Sequence, residues 1–184
     1  MITSPVMLST LTAACSYKQR FFCAPVTGAY LFSRGIDPML DKTKIGYEFN
    51  PFTVDIEKGR LCFFADVIGE TNPIYKDETA AREAGYKTIP APATFMMSVE
   101  LGSPDFLPVL TLLEMDIGRI LHGSQEFEYP GIIYAGDKIT SVSKIIDIFD
   151  KKGGALEFVV LESSYTNQDG ELVGKARQTV VYRN

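Results

Sequence analysis

A single histidine, His122, stands in a chain of 184 residues. That argues against a zinc site built on several histidines. The three cysteines, Cys15, Cys23 and Cys62, show no metal-ligand spacing. Cys62 lies in the apolar run LCFFA, where a thiol is expected to be buried and inert. Such cysteine usage points to a reducing, cytoplasmic compartment. No apolar run approaches the roughly 20 residues that cross a bilayer. PVMLSTLTAAC, near the N-terminus, has no positive charge before it. Lys18 and Arg20 come after it, which is the wrong order for a signal peptide. The chain also lacks a stripe of Lys and Arg, and its net charge is −5. A nucleic-acid surface needs clustered positive charge to displace counterions, so none is expected.

What is present is ordinary for one globular domain: 46% apolar and 22% charged residues. Residues 1–40 differ in texture from the rest, mixing Ser, Thr, Cys and Pro with scattered apolar residues and a single Asp37. They read as a poorly ordered N-terminal extension, with Met39 a candidate internal start. Residues 41–184 read as a single domain. PFTV, residues 51–54, reads as a short strand. DIEKGRLCFFADVIG reads as a helix: Leu61, Phe64, Ala65 and Ile68 recur on one face, with Asp55 and Glu57 at its start and Gly69 its stop. Asn72-Pro73 signals a turn. DETAAREAG reads as a second helix, with Asp77 its cap and Gly85 its stop. ATFMMSVEL, after two prolines, is almost wholly apolar and reads as a buried central helix. Residues 103–121 read as loop with a short helical piece. Four segments then alternate or carry β-branched runs: SQEFEYP, KITSVSKIIDIF, ALEFVVLESSYTN and ELVGKARQTVVYR. YAGD, DKKGG and NQDG separate them, and NQDG is a hairpin signal. The pattern is helices followed by an antiparallel meander, an α+β architecture with a curved sheet around one buried helix.

GETNPIY, residues 69–75, then acquires a meaning. This order of elements is similar to the hot-dog fold, and the words along it resemble the MaoC-like dehydratases and R-specific enoyl-CoA hydratases. The hydratase motif reads Gly-Asp-x-Asn-Pro-aliphatic-His, five residues, then Ala or Ser. Here it stands as Gly69-Glu70-Thr71-Asn72-Pro73-Ile74-Tyr75, KDETA, then Ala81. The frame is kept, but Glu70 replaces the catalytic Asp and Tyr75 the catalytic His. LHGSQEFEYPGIIYAGDKI and TNQDGELV resemble the FAS1-type dehydratase branch, the MaoC dehydratase N-terminal domain. The likeness covers roughly residues 44–182.

The resemblance implies an acyl-thioester substrate carried on coenzyme A or acyl-carrier protein, no cofactor and no metal. It also implies dimers, of this chain or with a catalytic MaoC-type subunit. Glu70 and Tyr75 become the candidate catalytic residues. Asn72 and Pro73, with Ala93 and Thr94 at the start of the central helix, become the candidate substrate-binding residues. A backbone N–H at Ala93 or Thr94 would polarise the thioester carbonyl. A phenol with a pKa near 10 is a poor base at neutral pH, whereas histidine titrates near 7. The expectation is therefore the accessory half of a heteromeric (R)-specific dehydratase. The alternatives are a self-sufficient hydratase using Glu70 and Tyr75, a thioesterase using Glu70 or Glu100, and a non-enzymatic thioester binder. His122 lies outside the motif and reads as a structural or surface residue.

Overall fold

The computed structural model describes residues 39–184 except Phe106. The expected extension lies, as far as residue 38, outside the described residues. Five strands form one sheet: β1 (Phe52–Asp55), β2 (Ile120–Glu128), β3 (Lys138–Lys151), β4 (Leu156–Thr166) and β5 (Leu172–Arg183). Their order is β1-β3-β4-β5-β2. Every pairing is antiparallel. β3, β4 and β5 form the meander that the sequence suggests. β2 departs from it: it begins at Ile120, earlier than SQEF implies, and pairs with β5 rather than with β3, which follows it. The reason is that β3 already has two neighbours, β1 at its start and β4 along its length. β2 therefore takes the far edge.

The turns fall where their chemistry places them. Asn167 closes the β4–β5 hairpin by accepting from the Asp169 and Glu171 N–H groups through its side chain, and Gly170 takes a φ of +79°. That conformation is open to glycine at little cost.

The helices lie between β1 and β2 in the chain: α1 (Lys58–Val67), α2 (Glu78–Glu83), α3 (Met96–Glu100) and α4 (Pro108–Leu112). A 3-10 turn, Ala93–Phe95, leads directly into α3. α1 starts later than its sequence suggests, because Asp55 belongs to β1 and pairs with Lys138 across the ladder. It buries Leu61 and Ala65, while Ile68, expected on the same face, is exposed. Ile68 is the helix C-cap, and the chain turns away there. Cys62 is half-buried rather than fully inside.

Two apolar clusters form the core. One joins Leu61 of α1 and Phe95, Met96 and Val99 of the central helix to Ile139, Tyr165, Val173 and Ala176 of the sheet. The other joins Val109 and Leu113 around α4 to Ile145, Ile148, Val159 and Val180. Leu40 is buried in this second cluster. Between them the sheet carries a polar pair, Ser143 and Ser163, whose hydroxyls meet at 2.8 Å. No described helix is long and apolar enough to cross a membrane.

Candidate active site

Glu70 leaves α1 at a fixed angle because the helix ends in a tight double closure. Gly69 N–H donates to Asp66 O at 3.1 Å, and Glu70 N–H to Ala65 O at 2.8 Å. Gly69 takes a φ of +74°, as this C-terminal motif requires. The next turn is also built from its own side chains. Glu70 Oε1 accepts the Asn72 N–H at 2.9 Å, and Asn72 Oδ1 accepts the Ile74 N–H at 3.2 Å. Asn72 thereby caps a short 3-10 turn, Pro73–Tyr75, with Pro73 as its first residue. Asp77 then caps α2 by accepting the Ala80 N–H at 2.8 Å.

This turn brings Glu70, Asn72, Pro73 and Tyr75 together. Glu70 and Tyr75 are half-buried. Burial pushes the Tyr75 phenol above its usual range, and the Glu70 carboxylate and the Tyr86 phenol add to the effect. Tyr75 is therefore held as a hydrogen-bond donor at neutral pH. Glu70 Oε1 is already engaged by the turn.

Ala93 and Thr94 stand apart from this group, and no hydrogen bond among the described residues joins the two. α1 links them mechanically. Its Phe64 meets Phe95 edge-on, with ring centroids 5.3 Å apart. Its Arg60 donates to Ser98 O at 2.8 Å. Ala93 and Thr94 are exposed. Phe95 N–H is taken by Pro92 O at 2.9 Å, but no described residue accepts from the Ala93 or Thr94 N–H. Both N–H groups lie at the start of the short helical run 93–100, where the first N–H groups have no partner within the run.

Glu100, at the other end of α3, is engaged with the sheet. It accepts the Ser141 hydroxyl at 2.8 Å. Beside it lies Tyr165, fully buried, whose hydroxyl has no well-formed hydrogen bond. Burial, then the Glu100 charge, pushes this phenol strongly upward. Sequence reasoning named Glu100 but not its contacts with Ser141 and Tyr165 beneath the central helix, because alternation along a strand shows which face a residue takes, not what it meets there. His122 is exposed on β2, at a bulge next to Gly123. No three described His, Cys, Asp or Glu residues are grouped to hold a metal ion.

Residues 43–176 match the family of the FAS1-like dehydratase domain region. The chain is 32% identical over 145 residues to the UPF0336 protein of Saccharopolyspora erythraea, covering 78% of this chain and 92% of that protein. Among solved structures it is similar to the truncated HadBC (3R-hydroxyacyl-ACP dehydratase) complex of Mycobacterium tuberculosis. The TM-score is 0.64 and the identity 27%, covering 75% of this chain and 96% of that one. The fold of the MaoC-like dehydratase of Rhodospirillum rubrum matches with a TM-score of 0.61 and 22% identity, over 76% of this chain and 93% of that one. The chain thus belongs to the FAS1-like dehydratase domain family, and its fold is the hot-dog fold that the MaoC-like dehydratase of Rhodospirillum rubrum shares.

Proposed function

We propose that this chain takes part in the hydration of 2-enoyl thioesters, and the reverse dehydration of (R)-3-hydroxyacyl thioesters, as the accessory half of a heteromeric dehydratase. One observation carries the reading. The sequence keeps the frame of the hydratase motif, but the positions of its catalytic pair carry Glu70 and a Tyr75 held protonated. Hydration needs a group that removes a proton from water and returns one to C2 of the substrate. A protonated phenol donates but does not accept that proton at neutral pH. Glu70 alone is left as a base, and one of its oxygens closes the turn. The working acid–base pair is then supplied by a second hot-dog subunit, while this chain shapes the acyl site. Asn72 and Pro73 form its turn, and the Ala93 or Thr94 N–H faces the thioester carbonyl.

Two further observations support a partner. β2 has a neighbour on one side only, so its outer backbone groups are unpaired by the sheet. Such an edge is a ready template for another strand. The similar mycobacterial HadBC protein is a dehydratase complex.

The test is hydration of crotonyl-CoA and of a longer enoyl-CoA by the purified chain alone, and by the assembly isolated from its own cells. The expected result is turnover by the assembly and none by the chain alone. Turnover by the chain alone, abolished in Glu70→Gln, overturns the accessory role and makes the enzyme self-sufficient.

A further inference from the structure

The approach to the central helix is held by the loop that follows β2. Ala91 N–H donates to Ile133 O at 2.8 Å, and Ala135 N–H to Ile89 O at 2.9 Å. Pro90 and Tyr134 form an antiparallel bridge between them. The two segments thus run past each other, residues 89–93 against 129–135. The contact at the end of this run differs in kind. Tyr129 Oη donates to Ala93 O at 2.8 Å. This is a side chain reaching a backbone carbonyl 36 residues away in sequence.

The carbonyl of Ala93 and the N–H of Thr94 are two ends of one planar peptide unit. A donor on the oxygen fixes the plane of that unit, and therefore the direction of its N–H. It also draws electron density toward the oxygen and strengthens the N–H as a donor. The Thr94 N–H has no acceptor among the described residues, and Thr94 is an exposed residue. Tyr129 is well placed for the task. Its ring lies 6.2 Å from that of Phe127, which packs against the core cluster containing Phe95. The residue is half exposed, and partial burial raises its phenol above the usual range, so the hydroxyl stays a donor at neutral pH.

We infer that Tyr129 is a positioning residue for thioester binding: it orients and polarises the Ala93–Thr94 peptide so that the Thr94 N–H donates to the substrate carbonyl. The inference rests on the thioester reading above. Tyr129 touches no reacting atom. It acts through a single peptide plane.

A 2,4-dienoyl-CoA tests both, because its absorption moves to longer wavelength when its carbonyl is polarised. The probe is added to the full chain, in the assembly in which it purifies, and to Tyr129→Phe in the same assembly. Tyr129→Phe keeps the ring and removes only the hydroxyl. The expected result is a red shift in the unsubstituted protein. In the variant most of that shift is lost, with Kd changed less than about threefold, the signature of a lost polarising contact rather than lost binding. Fluorotyrosine at position 129, a stronger donor of nearly the same size, is expected to enlarge the shift, and it stands in for Tyr129→Phe if that variant fails to fold. Equal red shifts in all forms overturn the role of Tyr129 and leave the thioester reading intact. Failure of the unsubstituted protein to bind the probe, or binding with no shift, overturns the thioester reading and the inference with it.

Discussion

The sulfur of Met96 occupies the space where any side chain at Gly174 would stand. A methyl group built on Gly174 meets that sulfur and also lies 3.3 Å from Cδ2 of Tyr165. Gly174 faces Tyr165 across the β4–β5 ladder, and Met96 is buried in the core cluster. The glycine is therefore the seat on which the central helix rests. Gly174→Ala is expected to destabilise the fold by about 1–3 kcal/mol through overpacking. Urea denaturation would measure it. In a cycle with Met96→Val, the two losses are expected to sum to more than the double variant shows, because the shorter side chain vacates the contested space.

Tyr165 offers a test of opposite sign. Its hydroxyl is buried without a well-formed hydrogen bond. Tyr165→Phe is expected to leave stability at pH 7 unchanged or raised by up to about 1 kcal/mol. The pH dependence follows from the raised pKa. The folded state keeps the phenol protonated, while the unfolded chain releases that proton near pH 10.0. Titration of this phenol therefore leaves stability untouched below pH 10, and above it the fold loses stability as pH rises toward the folded-state pKa. Tyr165→Phe should flatten this alkaline loss in a series of denaturant titrations. An alkaline branch as steep as that of the parent protein would contradict the assignment.

The turn at Glu70 predicts a gain of function. The helix-end closure at Gly69 and the cap at Asn72 fix the backbone on both sides of Glu70, and the sequence keeps the frame of the hydratase motif. Restoring the family pair with Glu70→Asp and Tyr75→His is expected to give the chain alone a hydration rate at least about 100-fold above background on crotonyl-CoA. Either substitution alone should give far less, because the two groups share one proton-transfer task. Loss of the enoyl absorbance would report it.

Glu157 is a carboxylate with no exposed surface, and its two oxygens have different partners. Oε1 accepts the Leu40 N–H at 2.8 Å, and Oε2 accepts the Asn184 side-chain amide at 2.7 Å. Glu157→Leu leaves two donors without an acceptor and is expected to cost about 2–4 kcal/mol. Asn184→Ala removes two side-chain hydrogen bonds, to Glu157 and to Gly154 O, and should cost about 1–2 kcal/mol. Thermal or urea unfolding would separate the two.

Much of this fold was legible in the sequence where local chemistry decides the outcome. Gly69 and Gly85 stop helices, Asp77 caps one, Asn72-Pro73 makes a turn, and the NQDG turn closes a hairpin, each through bonds a few residues apart. Long-range partnering was less legible. Nothing local to LHGSQEFEY says that its strand crosses to β5 instead of turning back on β3, or that Tyr129 reaches Ala93. At the candidate site, the motif words named Glu70 and Tyr75, and the structure sets both on one short self-capped turn. The Glu100–Ser141 contact beneath the helix was not named, because its partners lie 41 residues apart and neither belongs to a recognisable motif.

The carboxylate of Glu157 has a consequence for how the domain could be rewired. It draws Leu40 and Asn184 to one point on β4, and Asn184 also donates from its side chain to Gly154 O at 2.7 Å. A short linker from Asn184 to Leu40 would therefore close the domain into a ring with little loss of chain entropy. Opened instead at the exposed Lys152–Gly153 turn, the same strands would be threaded in a different order through an unchanged sheet.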